Sequence, residues 1–139
     1  MEINKYNLID LIYEKQIRLL KKKQDKWNAK SSIPIKNTEW SILTLIYGKQ
    51  PTISEIAQQV GITRQAAHKS IRTLDAKGLI DINPMENNNR NKCIKLTDLG
   101  VNCVLENQKL KDEIEKEISQ EIGQDNIELL KNILKRNWD

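Results

Sequence analysis

The chain has 139 residues, of which 38% are hydrophobic and 30% charged, a composition typical of a folded domain and too apolar for a disordered tail. It contains no apolar run near the roughly 20 residues that span a bilayer. Its N-terminus lacks the cationic start and apolar stretch of a signal peptide, so we expect a cytoplasmic protein.

Few side chains are suited to catalysis or to metal binding. His68 is the only histidine, and the two cysteines, Cys93 and Cys103, do not form a Cys-x-x-Cys pair. This argues against a structural zinc site and against a disulfide framework. Without a glycine-rich phosphate loop or a Ser-His or Cys-His set, we expect no cofactor and no enzymatic activity.

The net charge of +4 is unevenly distributed along the chain. Residues 1–60 carry 10 cations and 6 anions, and residues 61–96 carry 7 and 3. Residues 97–139 instead carry 6 cations and 10 anions. A basic segment of this kind is suited to a nucleic-acid face, although small basic proteins are common.

The first two predicted helices lie before residue 50. Apolar residues at helical spacing predict a helix from Ile3 to Trp27, which ends before Pro34. Thr38 is then predicted to cap a short helix that Gly48 closes.

A helix-turn-helix pattern follows. Thr52 and Glu55 form a capping box at the start of a helix that ends at Gly61. Two residues later the next helix begins, predicted from Arg64 to Lys77. Two short helices joined by a tight glycine turn are typical of helix-turn-helix units.

The segment after these helices predicts a β-hairpin wing. Residues 79–82 and 92–96 alternate in polarity like half-buried strands, and Asn83-Pro84 is predicted to start the turn between them. Helix is expected again after Thr97 for about twenty residues. Gly123 interrupts it, and a capping box at 125–128 is predicted to start the last helix.

The second helix of this pair is the candidate recognition helix. Ala67, Ser70, Ile71 and Leu74 share its core side. The candidate DNA-binding residues lie opposite or on the flank: Thr63, Arg64, Gln65, His68, Lys69 and Arg72. Residues near the helix start, Thr63 to His68, are expected at base edges, and Lys69 and Arg72 at phosphates. The alternative is an ordinary solvated helix face.

The wing carries a second group of candidate DNA-binding residues: Asn88, Asn89, Arg90 and Lys92. A lone arginine on a narrow polar hairpin is suited to the minor groove. The alternative is that Arg90 is an ordinary surface arginine.

These segments, in this order, resemble the MarR family of bacterial winged-helix regulators. The matching pieces are 38–43, 53–57, 61–65, 74–80, Arg90 and 96–100. The resemblance implies a single MarR-like domain over 1–139, with a DNA-binding region at 38–97 and dimerisation helices at 1–30 and 98–139. It also implies a homodimer. The acidic residue that the family usually has two positions before the wing arginine is Asn88 here.

Family members often bind a small, frequently aromatic effector that lowers their affinity for DNA. The candidate pocket residues are Tyr13, Trp27, Trp40 and Tyr47, for which core packing is the alternative. Cys93 is predicted on the outward side of its strand, and Cys103 in the core. A redox role for Cys93 would need exposure and a lowered pKa.

The sequence therefore predicts a mainly helical protein with a small β-wing, a winged helix-turn-helix fold. The expected function is sequence-specific binding of double-stranded DNA by a homodimeric transcriptional repressor. A non-specific architectural DNA binder is the main alternative, and a winged helix that binds protein is another.

Overall fold

The computed structural model describes residues 1–85 and 88–139, with the backbone alone for residues 85 and 88–91. In chain order the elements are α1 (Leu8–Lys30), α2 (Asn37–Ile46), α3 (Ile53–Val60), α4 (Arg64–Ala76), β1 (Ile80–Met85), β2 (Asn88–Leu96), α5 (Asp98–Ile122) and α6 (Gln124–Lys135). The predicted fold class, mainly helical with a small β-wing in a winged helix-turn-helix, is confirmed.

The chain forms two compact units. The winged unit is Ser31–Asn107, and the terminal-helix unit combines Met1–Lys30 with Gln108–Asp139. Within the described residues, no helix combines the length and the apolar character that crossing a membrane requires.

Three predicted helix starts differ from the structure. The first helix begins at Leu8 rather than Ile3, because Asn7 Oδ1 accepts the backbone N–H of Asp10 at 3.1 Å and caps it there. Thr38 is not the cap of α2. The cap residue is Lys36, whose backbone N–H donates to Glu39 Oε1 at 2.8 Å.

The prediction that a capping box at 125–128 starts α6 is also wrong. The cap residue is Gly123, which has φ of 92° and no side chain to cap with. That φ is readily adopted by glycine, so the chain turns there and helix resumes at once at Gln124. Asp125 therefore lies inside the first turn of α6.

The wing hairpin is longer than predicted. Asn83 and Pro84 lie within β1, opposite Cys93 and Lys92, rather than in a turn. Proline has no backbone N–H to donate, but β1 is an outer strand, where this is tolerated. The register shifts between Pro84 and Met85. Asn87, between the two predicted strands, lies outside the described residues.

The base of the wing is bonded to the segment before α3. The backbone N–H of Ile94 donates to the carbonyl oxygen of Pro51 at 2.9 Å, and Thr52 forms an isolated bridge with Cys93. These contacts place the first residues of α3 beside strand β2.

The core of the winged unit draws on every element in it. Its fully buried large apolar side chains are Ile35, Ile42, Leu43, Ile46, Ile56, Ile71, Leu74, Leu79, Ile80 and Ile94. Burial of apolar surface is the main stabilising contribution here, and the same contacts fix the inner face of α4.

In the terminal-helix unit, α1 and α5 are joined by ion pairs. Lys26 Nζ lies 3.1 Å from Glu117 Oε1 and 3.7 Å from Glu113 Oε2, and Lys22 also pairs with Glu117. Hydrogen bonds from Lys22 and Lys26 lower the pKa of the Glu117 carboxyl. Such half-exposed pairs contribute little individually, so they orient the helices more than they stabilise them.

A groove of about 340 Å³ lies between the three helices of this unit. Its walls are mostly leucine and isoleucine, with Lys23 buried among them. Burial, and secondarily the charge of Lys111, lower the pKa of Lys23 to about 8.

Candidate nucleic-acid interface

The helix-turn-helix is built by α3, α4 and a three-residue turn. Gly61 has φ of 78°, a left-handed conformation suited to glycine, and its N–H donates to the Ala57 carbonyl at 3.0 Å. Thr63 caps α4, because its hydroxyl accepts the N–H of Ala66 at 3.0 Å. The hydroxyl oxygen therefore caps the start of the helix, and the hydroxyl proton remains available for a further hydrogen bond.

Helix α4 has the predicted inner and outer faces. Ala67, Ile71 and Leu74 are buried, and Ser70 is half-buried. The candidate recognition residues on the helix are all exposed: Arg64, Gln65, His68, Lys69 and Arg72. Period-3.6 patterning alone therefore predicted both faces.

A concave surface of about 320 Å³ lies between the start of α3, the outer side of α4 and the base of the wing. Its lining is Thr52, Ile53, Ser54, Arg64, His68, Ile71, Arg72, Ile82 and Lys92. We call it the basic concavity, since the lining carries two arginines, a lysine and a histidine and no carboxylate among the described residues. Such a surface attracts polyanions, and phosphate groups above all.

The structure brings some of the predicted residues together and leaves others undescribed. Lys92, predicted in the wing, lines the basic concavity with Arg64, His68 and Arg72. The side chains of Asn88, Asn89 and Arg90 lie outside the described residues. Thr52 and Ser54 also line the concavity, whereas the sequence pattern predicted this segment only as a helix start.

Comparisons with known proteins agree with the winged-helix fold. A MarR family model matches residues 33–88, which include α2, the helix-turn-helix and β1. Over residues 33–88 the chain is therefore similar to the MarR family.

Solved MarR-type structures share the fold over nearly the whole chain. The repressor CouR, solved on a 23-mer DNA duplex, has a TM-score of 0.79 at 21% identity and covers 96% of each chain. Apo MarR from E. coli has a TM-score of 0.75 at 21% identity, with 97% of each chain covered. MepR from Staphylococcus aureus, regulator of the efflux pump MepA, has a TM-score of 0.75 at 22% identity and covers 93% of this chain and 94% of its own.

The four aromatic residues predicted as an effector pocket differ in exposure. Trp27 and Trp40 are buried, whereas Tyr13 and Tyr47 are exposed. Burial of the tryptophans agrees with the core-packing alternative for them. The pocket itself stays a prediction.

The cysteines have different environments in the MarR-type fold. Cys103 is buried as predicted, and burial raises the pKa of its thiol. Cys93 is half-buried in β2. Among the described residues there is no group of three or more histidine, cysteine or acidic side chains placed to hold a metal ion.

An ion pair behind the recognition helix was not predicted. Lys77 Nζ, at the end of α4, lies 2.9 Å from Glu39 Oε1 and 3.0 Å from Glu39 Oε2 on α2. Glu39 is buried at 3% exposure. The two residues are 38 positions apart, so no local sequence pattern connects them.

Proposed function

We propose that this chain is a DNA-binding transcriptional regulator that recognises a specific double-stranded sequence as a homodimer. The observation that carries the proposal is the basic concavity, where cations from α4 and the wing meet on one surface next to the exposed start of a recognition helix. It is supported by the MarR family match and by the likeness to CouR, which was solved on DNA.

The proposed contacts follow from where each side chain lies. Arg64 and Gln65 are exposed in the first turn of α4, so they are assigned to base edges, which Arg and Gln recognise bidentately. His68 and Thr63 complete this group. Arg72 and Lys92 line the basic concavity farther along, and with Lys69 they are assigned to phosphates.

The wing completes the proposed interface. Arg90 is assigned to the minor groove, with Asn88 and Asn89 beside it on β2. An arginine inserted there responds to groove width and potential rather than to individual base edges. The wing would therefore add shape recognition to the direct readout by α4.

A second copy of the chain is the proposed partner of the terminal-helix unit. Large apolar side chains on α1 and α6 are exposed in the single chain: Leu8, Ile9, Ile12, Tyr13 and Ile17, and Leu129, Leu130, Ile133 and Leu134. Apolar exposure of this extent marks an interaction surface. A two-fold dimer would present two recognition helices to major grooves about 34–36 Å apart on a pseudo-palindromic site.

Repression is the proposed outcome, because an occupied promoter excludes polymerase. An aromatic small molecule that binds near Tyr13, Trp27, Trp40 and Tyr47 is the proposed effector, acting in the cytoplasm. Such a ligand relieves repression only through different affinities for the DNA-competent and DNA-incompetent states.

The proposed function is tested by selecting binding sites from random duplex DNA at about physiological salt. Enrichment of a palindrome with half-sites one helical turn apart is the expected result. Salt-sensitive binding with no enriched motif would instead favour the architectural alternative. An Arg64→Ala variant should lose the preference at the few base positions that Arg64 contacts, while Lys49→Ala, an exposed cation of the same unit outside the concavity, should keep the whole motif.

Dimerisation is tested separately by sedimentation equilibrium. The wild-type protein should sediment at twice the 16.2 kDa mass of the chain. Ile133→Glu, in the exposed apolar face of α6, should shift it toward the monomer, because it places a charge in the proposed interface. Asn132→Glu, at the neighbouring exposed polar position, is the matched control and should leave the dimer intact.

A further inference from the structure

A partly buried ion pair, between the half-buried Lys77 and the buried Glu39, holds the end of the recognition helix. Lys77 is the C-cap residue of α4, and its ammonium contacts both carboxylate oxygens of Glu39. The same ammonium also donates to the carbonyl oxygen of Pro34 at 2.6 Å. Glu39 Oε1 accepts the backbone N–H of Lys36 as well. The pair therefore connects the end of α4 to the chain segment that leads into α2.

The position of this pair is the junction between the recognition helix and the wing. Gly78 follows Lys77 with φ of 74°, and strand β1 begins at Ile80. Across the junction, the hydroxyl of Thr97 donates to the Gly78 carbonyl at 2.7 Å. Helix α4 and the wing therefore separate at residues 77 and 78. Glu39 holds this junction through Lys77, and Thr97 holds it through Gly78.

Stability alone does not account for a charged pair at this place. The desolvation cost of a buried ion pair offsets much of its Coulomb attraction, so an apolar pair of similar volume is often as stable or more stable. What an ion pair adds is a defined geometry, since the ammonium must meet two oxygens and a carbonyl at once. The end of α4 is held in one position by directional contacts rather than by apolar packing alone.

We infer that Glu39 and Lys77 are positioning residues for DNA readout, which set the direction of α4 and the wing root without touching DNA. The inference rests on the proposed function. Small misplacement of a recognition helix weakens base contacts, which need bidentate geometry, more than phosphate contacts, which tolerate displacement. Disrupting the pair should therefore lower sequence discrimination and leave non-specific binding in place.

The test compares affinity for the selected site with affinity for a scrambled duplex of the same length. The informative variant is the double substitution Glu39→Gln with Lys77→Met, which removes both charges and keeps a side-chain oxygen at position 39 to accept the Lys36 N–H. We expect its melting temperature to stay close to that of the wild-type protein, and its ratio of specific to non-specific affinity to fall about tenfold, the order of one lost base contact. The salt dependence of non-specific binding should not change, because no phosphate contact is removed.

Two further variants keep the test decisive. Lys77→Arg retains the charge and several donors, so it should retain most of the discrimination. Asp25→Asn breaks the exposed ion pair with Lys21 in α1 and should leave the ratio unchanged. A folded double variant with the wild-type ratio would overturn the positioning role. If the wild-type protein itself prefers no sequence, the proposed function fails, and the positioning role falls with it.

Discussion

Gly100, in the first turn of α5, lies directly against the backbone of Leu79. A Cβ atom at position 100 would be 2.1 Å from the carbonyl oxygen of Leu79 and 3.2 Å from Leu96 Cδ2. That carbonyl also accepts the backbone N–H of Thr97 at 3.1 Å. The approach therefore fixes the start of α5 against the base of the wing, and only a residue without a side chain allows it.

Gly100→Ala should destabilise the winged unit. The methyl group meets backbone rather than a flexible side chain, so the helix start must move, at a cost of about 1–3 kcal/mol. Urea unfolding measures the change. Asn102→Ala, at an exposed position of the same helix, is the control and should stay within about 0.5 kcal/mol of the wild-type protein. A neutral Gly100→Ala variant would show that α5 does not depend on this approach.

Lys23 should make stability depend on pH in the alkaline range. Its pKa is about 8 in the folded protein against 10.5 ordinarily, so the unfolded chain binds more protons between these values. The contribution of Lys23 to the free energy of unfolding should therefore rise as pH rises from 8 to 10.5. Lys23→Met removes this titration. At pH 7 the Lys23→Met variant should have a larger free energy of unfolding than wild type. This difference should shrink by about 3 kcal/mol by pH 10.5.

The measurement for Lys23 is urea unfolding at pH 7, 9 and 10.5 with the protein concentration held constant, since dimerisation also contributes to stability. Lys15→Met, at an exposed lysine of the same helix, is the control. It retains Lys23, so its difference from wild type in free energy of unfolding should be the same at all three pH values. If the difference in free energy of unfolding between Lys23→Met and wild type were the same at all three pH values, the lowered pKa of Lys23 would be contradicted.

Lys69→Ala should weaken binding to all DNA sequences alike. Its assigned partner is a phosphate, so the slope of log affinity against log salt should become shallower by about one. Fluorescence anisotropy titrations at several salt concentrations measure both quantities, with Lys49→Ala as the charge-matched control. A change in which sequences are preferred would instead assign Lys69 to a base.

Arg90→Ala should weaken DNA binding without unfolding the protein. The loss follows from removing the one arginine of the wing, and it should be larger on sites with a narrow, A·T-rich minor groove. Binding titrations measure the loss, and circular dichroism melting checks the fold. Unchanged affinity would remove the wing from the proposed interface.

Local patterns were sufficient to predict the recognition helix. Ala67, Ile71 and Leu74 recur at helical spacing, and Gly61 and Thr63 mark the turn before them, so the exposed and buried faces followed from residues close in sequence. The same holds for the buried position of Cys103.

Tertiary contacts explain what the sequence could not predict. Thr38 is a good capping residue, but Glu39 starts the helix earlier by bonding to Lys36 while it also binds Lys77 across the unit. Pro84 favours a turn locally, yet an outer strand accommodates it. The Glu39–Lys77 contact and the pairing of β1 with β2 both join residues that are not neighbours in the sequence.

The central claim is most directly tested by a base-by-base substitution profile of the selected site, measured for the wild-type protein, Arg64→Ala and Gln65→Ala. If these side chains contact base edges, each variant should lose discrimination at a few positions related by the two-fold axis and keep it elsewhere. At the affected positions, the binding penalty of about 1–3 kcal/mol that a wrong base pair causes in the wild-type complex should disappear. Profiles that are merely shifted to weaker affinity, with every preference retained, would contradict sequence recognition by the start of α4.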